Sequence, residues 1–389
     1  MKGEAAPPSV VPSARLLALQ LGIFVGLGLP DGARGVVWPA MRASFHRPTA
    51  DLGFVLAAGT LGYLFGSAGT GRIISRIGAG RMAWAATALA AVGLLCETGA
   101  LSWVLLLAGA VILGTARGSI DAGLNAYVAE HGGVRQLGLL HAAYGVGTTT
   151  APVIATVLLA TGWRWTWAVL AAITVALSVW AWPARGRWPS DKPHHDVVAH
   201  PASGSRLSTA LVMTLVTFGV YVGVELATGS WTFVLLTEHR HMDRVAAGIV
   251  VAGFWAGLTT GRLLLWRGGH RLSRVTILHL SCGGALLALL WLWANPAGGG
   301  WIGVPFAGFA MGPVFPTLVA LTPDRLGADR AAWAIGWSVA ASSLGGALLS
   351  ALAGVLPLAP TLAAYGLALV LAHAALVAVT PHGHLDRSS

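Results

Sequence analysis

Charged residues are scarce in this sequence. Asp, Glu, Lys and Arg together make up 10% of its 389 residues, against roughly a quarter in soluble proteins. A soluble protein of this length needs more charge to cover its surface, so the composition excludes that class. Disorder is excluded as well, because it requires low hydrophobicity, whereas 56% of the residues are apolar. The composition therefore predicts a polytopic membrane protein.

Cysteines are few and catalytic motifs are missing. Cys96 and Cys282 are the only two cysteines, which excludes a disulfide scaffold and a Cys-rich zinc site. The sequence has no P-loop or dinucleotide fingerprint, and no nucleophile elbow or metalloprotease motif. The stretch PHHDVVAH at 193–200 lacks a recognised ligand spacing and is interpreted as a solvated linker. We therefore expect no metal, no cofactor and no enzymatic activity.

Apolar segments of membrane-spanning length recur along the chain. A helix needs about 20 apolar residues to cross a bilayer core of about 30 Å, and in lipid it satisfies its own backbone hydrogen bonds. The twelve predicted helices lie near 15–36, 52–71, 82–103, 105–128, 137–160, 165–184, 208–236, 245–265, 274–294, 300–321, 332–354 and 360–380. We expect an all-α membrane protein with one six-helix bundle at 1–184, a cytoplasmic linker at 185–206 and a second bundle at 207–389. The first residues lack the apolar core of a signal peptide, so no cleavage is expected.

The basic residues predict an orientation in the membrane. With the N-terminus inside, 17 of the 24 Lys and Arg residues lie on the cytoplasmic side and five on the opposite side. The positive-inside rule then places both termini in the cytoplasm of a cell-membrane protein. This distribution also accounts for the formal net charge of +10 without nucleic acid, because no segment forms a basic, solvent-exposed module.

An internal repeat supports two related halves. GRIISRIGAGR at 71–81 and GRLLLWRGGHR at 261–271 share Gly and Arg positions, and each is predicted to form a short cytoplasmic loop after the second helix of its half. The pairs Gly62/Gly66 and Gly308/Gly312 predict close helix packing. Six-helix duplications are typical of transporters whose substrate site lies between the repeats. The alternative is a chance match between Gly- and Arg-rich segments.

Charged residues within the predicted helices are the strongest functional candidates, because charge at such depth is costly and usually faces a cavity. The five selected are Asp31, Arg34, Arg117, Asp121 and Glu225. Asp31 and Arg34 can share one helix face, as can Arg117 and Asp121. Three acids against two arginines leave one surplus carboxyl, which can bind a proton. We predict proton binding at Asp121, coupled to Asp31 or Glu225; the alternative is ion pairs that fix helix register.

Polar and aromatic residues complete the predicted site. Asn125 lies one turn beyond Asp121, where its amide can bind a hydroxyl or carboxylate or form a helix–helix hydrogen bond. His141 is a candidate proton relay, with interfacial packing as the alternative, and Trp231 and Trp255 can stack on a sugar. The predicted substrate-binding residues are Asn125, Arg34, Arg117, His141, Tyr144, Tyr221 and Trp231, with Gln136 as a further polar candidate.

The repeated loops resemble the loop motif of the major facilitator superfamily, with Ser75 and Leu265 at its usual acidic positions. The segments GLGLPDGARGVVWPAMRASF, GSIDAGLNAYVAE and YVGVELATGSW further resemble helices 1, 4 and 7 of the fucose-permease-like sugar:proton symporters. The resemblance implies sugar binding and proton coupling at Asp31 and Asp121. It also implies uptake of a small polar solute by alternating access, with the substrate bound between helices 1, 4, 5, 7, 10 and 11. We expect the protein to work as a monomer.

Other functions are also compatible with the sequence. GVGTTTAP at 145–152 weakly resembles a helix 5 motif of superfamily exporters, which favours proton antiport of a drug or metabolite. The arginines would then pair with acids or bind an anionic solute. A non-transporting sensor or assembly factor is disfavoured, because five intramembrane charges are retained. Pro152, Pro313 and Pro316 are predicted to let helices bend as one half rocks against the other.

Overall fold

The computed structural model describes residues 14–189, 208–268, 272–296 and 298–379, and these residues form thirteen α-helices. In chain order the helices are α1 (Ala14–Ser44), α2 (Leu52–Ile77), α3 (Ala79–Thr98), α4 (Trp103–His131), α5 (Gly133–Leu158), α6 (Trp163–Ala181), α7 (Thr209–Val234), α8 (Arg244–Gly268), α9 (Arg274–Ala294), α10 (Gly299–Met311), α11 (Val314–Leu326), α12 (Ala328–Ala353) and α13 (Leu358–Ala378). The all-α prediction is confirmed. The histidine-containing stretch and most of the predicted linker lie outside the described residues.

Most of these helices have the length and apolar character of membrane spans. Among the described residues, eleven helical segments are long and apolar enough to cross a bilayer, with α10 and α11 counted as one segment. The helix α5 is not among the eleven, and it carries the polar residues Gln136, His141 and 148–150. The predicted and observed helices correspond one to one, except where the tenth is interrupted.

That interruption lies at Gly312 and Pro313, between α10 and α11. Proline has no backbone N–H and its ring clashes with the preceding turn, so the predicted effect of Pro313 is confirmed. Pro152 lies inside α5, which continues through it. A proline therefore breaks one of these helices and is accommodated within the other.

The described parts of the repeated Gly–Arg segments are largely helical, which corrects the loop prediction. The helix α2 continues to Ile77 and α8 to Gly268, so Gly71 and Gly261 lie within helices. The break between α2 and α3 is confined to Gly78, and the predicted helix ends at 71 and 265 were too early. Residues 269–271 of the second segment lie outside the described residues.

Glycine contacts show that the two halves are built alike. A Cβ at Gly66 of α2 would collide with the backbone oxygen of Thr115 in α4, and one at Gly312, just beyond α10, would collide with that of Leu258 in α8. These contacts confirm the close packing predicted from the small-residue pairs. In each half, the second and fourth membrane-spanning segments are thus in backbone contact. Likewise α1 packs on α5, and α7 packs on α12.

The halves contact each other near one side of the molecule, called the far side, where α1, α5, α7 and α12 end. The opposite side, where α1 begins, is called the near side. Arg42 at the end of α1 forms an ion pair with Glu238, just beyond α7, at 3.0 Å. Gly53 contacts Ala351 between α2 and α12. Toward the near side the His141 side chain of α5 is exposed. The region between the halves that contains Asp31, Arg117, Glu225 and Arg262 is called the central cavity. The contacts described above close it on the far side.

Candidate functional site

The first cluster in the central cavity joins three helices of the first half. Arg117 of α4 donates a hydrogen bond to the Asp31 carboxylate of α1, and the Tyr144 hydroxyl of α5 donates to Asp31 Oδ2 at 2.7 Å. The Asp31 and Arg117 side chains are 18% and 22% exposed, so the pair is open to the cavity. Arg117 therefore reaches across to α1 and does not pair with Asp121, with which it can share a helix face.

Asp121 lies one turn further along α4 and has different partners. The Tyr63 hydroxyl of α2 donates to Asp121 Oδ2, and Asn125 Nδ2 donates to Oδ1 at 2.8 Å. Within the described ranges Asp121 forms no ion pair. Asn125 Oδ1 has no hydrogen-bond partner there either, so the amide retains an acceptor. Asp121 is thus a half-buried carboxylate with two donors and no cation.

The second half contributes a facing cluster. Arg262 of α8 lies 3.5 Å from Glu225 of α7. Tyr221, one turn before Glu225, interacts electrostatically with both residues, although its buried hydroxyl has no hydrogen-bond partner among the described residues. Tyr144 of the first half also interacts electrostatically with Glu225. The charged clusters of the two halves therefore meet across the central cavity.

The charge balance leaves Asp121 as the unpaired group. The ion pairs among these interior charges are Asp31–Arg117, Glu97–Arg34 and Glu225–Arg262. The sequence prediction counts three acids and two arginines, which leaves one surplus carboxyl, and it does not count Glu97 and Arg262. Adding one acid and one arginine leaves the surplus at one carboxyl. Among these residues, the carboxyl without an arginine is that of Asp121.

Glu97 and Arg262 carry recognisable signals that the sequence prediction does not use. Glu97 is an acid inside the apolar span predicted at 82–103, and Arg262 lies inside the span predicted at 245–265. The loop interpretation of the Gly–Arg repeat placed Arg262 in the cytoplasm. Their charge and predicted depth alone would have marked both as candidates.

Arg34 and Trp231 do not lie at the central cavity. Arg34 is buried and donates two hydrogen bonds of 3.0 Å to Glu97 of α3, so it pairs with α3 and not with Asp31 of its own helix. Three residues apart on α1, the two side chains diverge toward different helices. Trp231 is fully buried, and its Nε1 donates to the Ser350 backbone oxygen at 2.8 Å. Both residues hold helices together inside one half.

The remaining candidates divide between cavity and packing positions. His141 is exposed and interacts electrostatically with Asp121 and Arg262, so it belongs to the cavity. Gln136 is buried and donates to Gln20 Oε1 at 2.6 Å, which joins α5 to α1. Trp255 is also buried. In the described part of the chain, no cluster of three or more His, Cys, Asp or Glu residues forms a metal site.

Fold and site together define a helical membrane protein with two similar halves and a charged cavity between them. The family model "Major Facilitator Superfamily" matches residues 22–350. The chain belongs to the major facilitator superfamily of transporters, which confirms the superfamily resemblance seen in the loops.

Two curated relatives match the chain to different extents. "Bypass of stop codon protein 6" of Saccharomyces cerevisiae is 33% identical over 153 residues, which is 35% of this chain and 30% of that protein. The chain thus spans less than a third of that relative. The 3-(3-hydroxy-phenyl)propionate transporter of Escherichia coli is 26% identical over 354 residues, covering 87% of this chain and 86% of the relative.

Solved structures share the fold at low sequence identity. The D-xylose-proton symporter has a TM-score of 0.77 at 16% identity, covering 96% of this chain and 98% of its own. A variant of the nucleoside transporter NupG has a TM-score of 0.73 at 12% identity, with coverage of 94% and 99%. FucP in its outward conformation has a TM-score of 0.68 at 16% identity, with the same coverage. These likenesses confirm the two-bundle fold.

Proposed function

We propose that this protein takes up a small polar solute across the cell membrane, as a monomer, by proton-coupled alternating access. The observation that carries the proposal is Asp121, the carboxylate that lacks a cation in a cavity whose other acids are paired. A buried charge without a cation is costly, and proton binding removes that charge. Asp121 therefore supplies a site whose charge changes without breaking an ion pair.

The geometry supports alternating access around the central cavity. Contacts on the far side, such as Arg42 with Glu238, close one entrance, while exposed His141 marks the open direction. A proton reaches Asp121 from one side when that side is open and leaves when the other opens. Protonated Asp121 lowers the charge enclosed during the switch, which favours the change of conformation.

The near side is proposed to be cytoplasmic. Arg262 pairs with Glu225 in the interior and does not lie in a cytoplasmic loop. Without it, the basic residues assigned to the cytoplasmic side fall from 17 to 16, against five on the far side. This asymmetry supports cytoplasmic termini under the positive-inside rule. The division into bundles at 1–184 and 207–389, joined by a cytoplasmic linker, is proposed on the same basis.

The name of one relative bears on the solute. The 3-(3-hydroxy-phenyl)propionate transporter, aligned over most of both chains, is named for a carboxylate, whereas the sequence resemblance favours a sugar. Both are small polar solutes. The exporter alternative is supported by GVGTTTAP at 145–152. Growth of a deletion strain on single carbon sources, compared with its sensitivity to toxic compounds, separates uptake from export.

Substitution of Asp121 tests the proposed coupling. A thermal-shift screen first identifies a solute that binds the purified protein, and its flux is then measured in proteoliposomes with an imposed pH gradient. We expect Asp121→Asn to abolish gradient-driven accumulation but to retain solute exchange at equal concentrations, because the amide cannot carry a proton.

A matched control is Asp324→Asn. Asp324 lies at the near-side end of α11 in an exposed pair with Arg274, and its replacement is expected to preserve accumulation. Gradient-driven accumulation by Asp121→Asn at the wild-type level would refute the assignment of the proton site.

A further inference from the structure

Two arginines, one from each half, lie at the central cavity, and each is held by an acid of the protein. Arg117 pairs with Asp31, and Arg262 pairs with Glu225. The arginine side chains are 22% and 21% exposed, so a solute in the cavity can reach them. Arginine stays charged at any physiological pH, and its planar fork matches the geometry of a carboxylate. Each arginine is therefore a binding site for a carboxylate. In this structure an acidic side chain of the protein occupies that site.

The Arg34–Glu97 pair shows by comparison that the cavity pairs are incompletely satisfied. Arg34 donates two hydrogen bonds of 3.0 Å to Glu97, which is fully buried. Arg117 instead leaves its Nε without a partner among the described residues. Arg262 approaches Glu225 only at 3.5 Å. Among the described residues, the Arg34–Glu97 pair is therefore enclosed and doubly hydrogen-bonded, whereas the two cavity pairs leave part of each arginine side chain exposed.

We propose that the transported solute is a small organic anion whose carboxylate replaces Asp31 or Glu225 on these arginines. This inference rests on the proposed transport function and names its substrate class. When Asp121 binds a proton, as proposed above, the cavity loses one negative charge. An incoming carboxylate on Arg117 or Arg262 restores that charge, so the net charge of the cavity is unchanged. A neutral sugar offers no such compensation.

An unpartnered polar atom in the same cavity fits the rest of such a solute. Asn125 Oδ1 has no hydrogen-bond partner in the described ranges. Since buried polar groups are normally hydrogen-bonded, this acceptor is available to a hydroxyl of the solute. A hydroxy acid satisfies both an arginine and this amide.

The experiment measures binding of matched neutral and anionic probes to the purified full-length protein. Lactate and lactamide, and benzoate and benzamide, are compared by calorimetry at neutral pH. We expect the carboxylates to bind and the amides not to bind. Arg117→Gln and Arg262→Gln are each expected to weaken carboxylate binding about tenfold or more, whereas Arg274→Gln on the near-side surface leaves it unchanged.

Asp31→Asn guards against variants that simply misfold. It removes the competing carboxylate and keeps Arg117, so carboxylate binding is expected to become stronger than in the wild type. Equal binding of amides and carboxylates, or binding of neutral sugars but of neither carboxylate, would overturn the inference. Because binding is measured without a gradient, sugar binding alone leaves proton-coupled transport standing, and failed coupling in Asp121→Asn leaves anion binding standing.

Discussion

At the scale of single residues, the interior charges separate into a structural pair and a set that faces the cavity. Arg34 and Glu97 have side chains only 9% and 0% exposed, and Arg34 also lies 4.8 Å above the Trp167 ring. Because this pair is buried, doubly hydrogen-bonded and away from the central cavity, it holds α1 against α3. We therefore assign this pair to stability and not to transport.

The structural role of Arg34 predicts a large effect of breaking the pair. Arg34→Met leaves Glu97 buried without a cation, which costs about 3–5 kcal/mol and should lower the melting temperature in detergent. The double variant Arg34→Met/Glu97→Met should recover most of that loss. Arg274→Met breaks a pair whose side chains are each 41% exposed and should change stability little. Equal effects of Arg34→Met and Arg274→Met would contradict this role.

The sequence identifies the charged candidates better than it identifies their partners. Asp31, Arg117, Asp121 and Glu225 are all found at the central cavity, because charge at membrane depth is an informative signal. Their partners lie on other helices. Asp31 and Arg117, for example, are 86 positions apart in the sequence. Spacing along one helix does not encode such contacts, so the shared faces within α1 and α4 do not identify the ion pairs.

At the scale of helices, glycine sets the separation of neighbouring backbones. Gly62 and Gly66 of α2 face the backbone of α4, and Gly308 of α10 and Gly312 just beyond it face that of α8. Helices in a membrane associate largely through packing, and small residues permit close approach. The repeated contacts therefore hold equivalent helices together in the two halves.

A glycine comparison within α2 tests this packing. Gly66→Leu would force α2 away from the Thr115 backbone. A Cβ at Gly71 of the same helix meets no atom within 4 Å. We expect Gly66→Leu to destabilise the purified protein by about 1–3 kcal/mol or more and Gly71→Leu to leave its melting temperature near that of the wild type. Similar melting temperatures for the two variants would show that α2 and α4 need not approach so closely.

The helices themselves are well predicted from sequence, and their ends are not. The predicted span at 274–294 coincides with α9 (Arg274–Ala294), because apolar length is a direct physical requirement of the bilayer. The helix α1 runs to Ser44, beyond the predicted end at 36. Polar residues at its far-side end remain helical because they contact the other half, as Arg42 does with Glu238.

At the scale of the whole molecule, the arrangement of the halves determines which side is open. Their far-side contacts include Arg42 with Glu238 and Gly53 with Ala351. Alternating access requires these contacts to separate in each cycle. Sequence alone predicts two halves but not which entrance is closed, because both conformations use the same helices.

A reversible cross-link tests whether the far side must open. A Cβ at Gly53 would lie 2.9 Å from the Ala351 Cβ. This is slightly shorter than the Cβ–Cβ distance of a disulfide, so a small outward shift of α2 and α12 would allow the bond to form. In a Cys96→Ala/Cys282→Ala background, Gly53→Cys/Ala351→Cys should lose transport on oxidation and regain it on reduction. Each single cysteine variant should stay active throughout. Full flux through the oxidised double variant would contradict the required opening.

Proton movement driven by the solute tests the central claim most directly. Proteoliposomes containing a pH-sensitive dye and no imposed gradient receive the transported solute from outside. Wild-type protein should acidify the lumen as the solute enters, while Asp121→Asn, which still exchanges solute, should not. Solute entry without acidification in the wild type, or equal acidification by Asp121→Asn, would contradict proton coupling through Asp121.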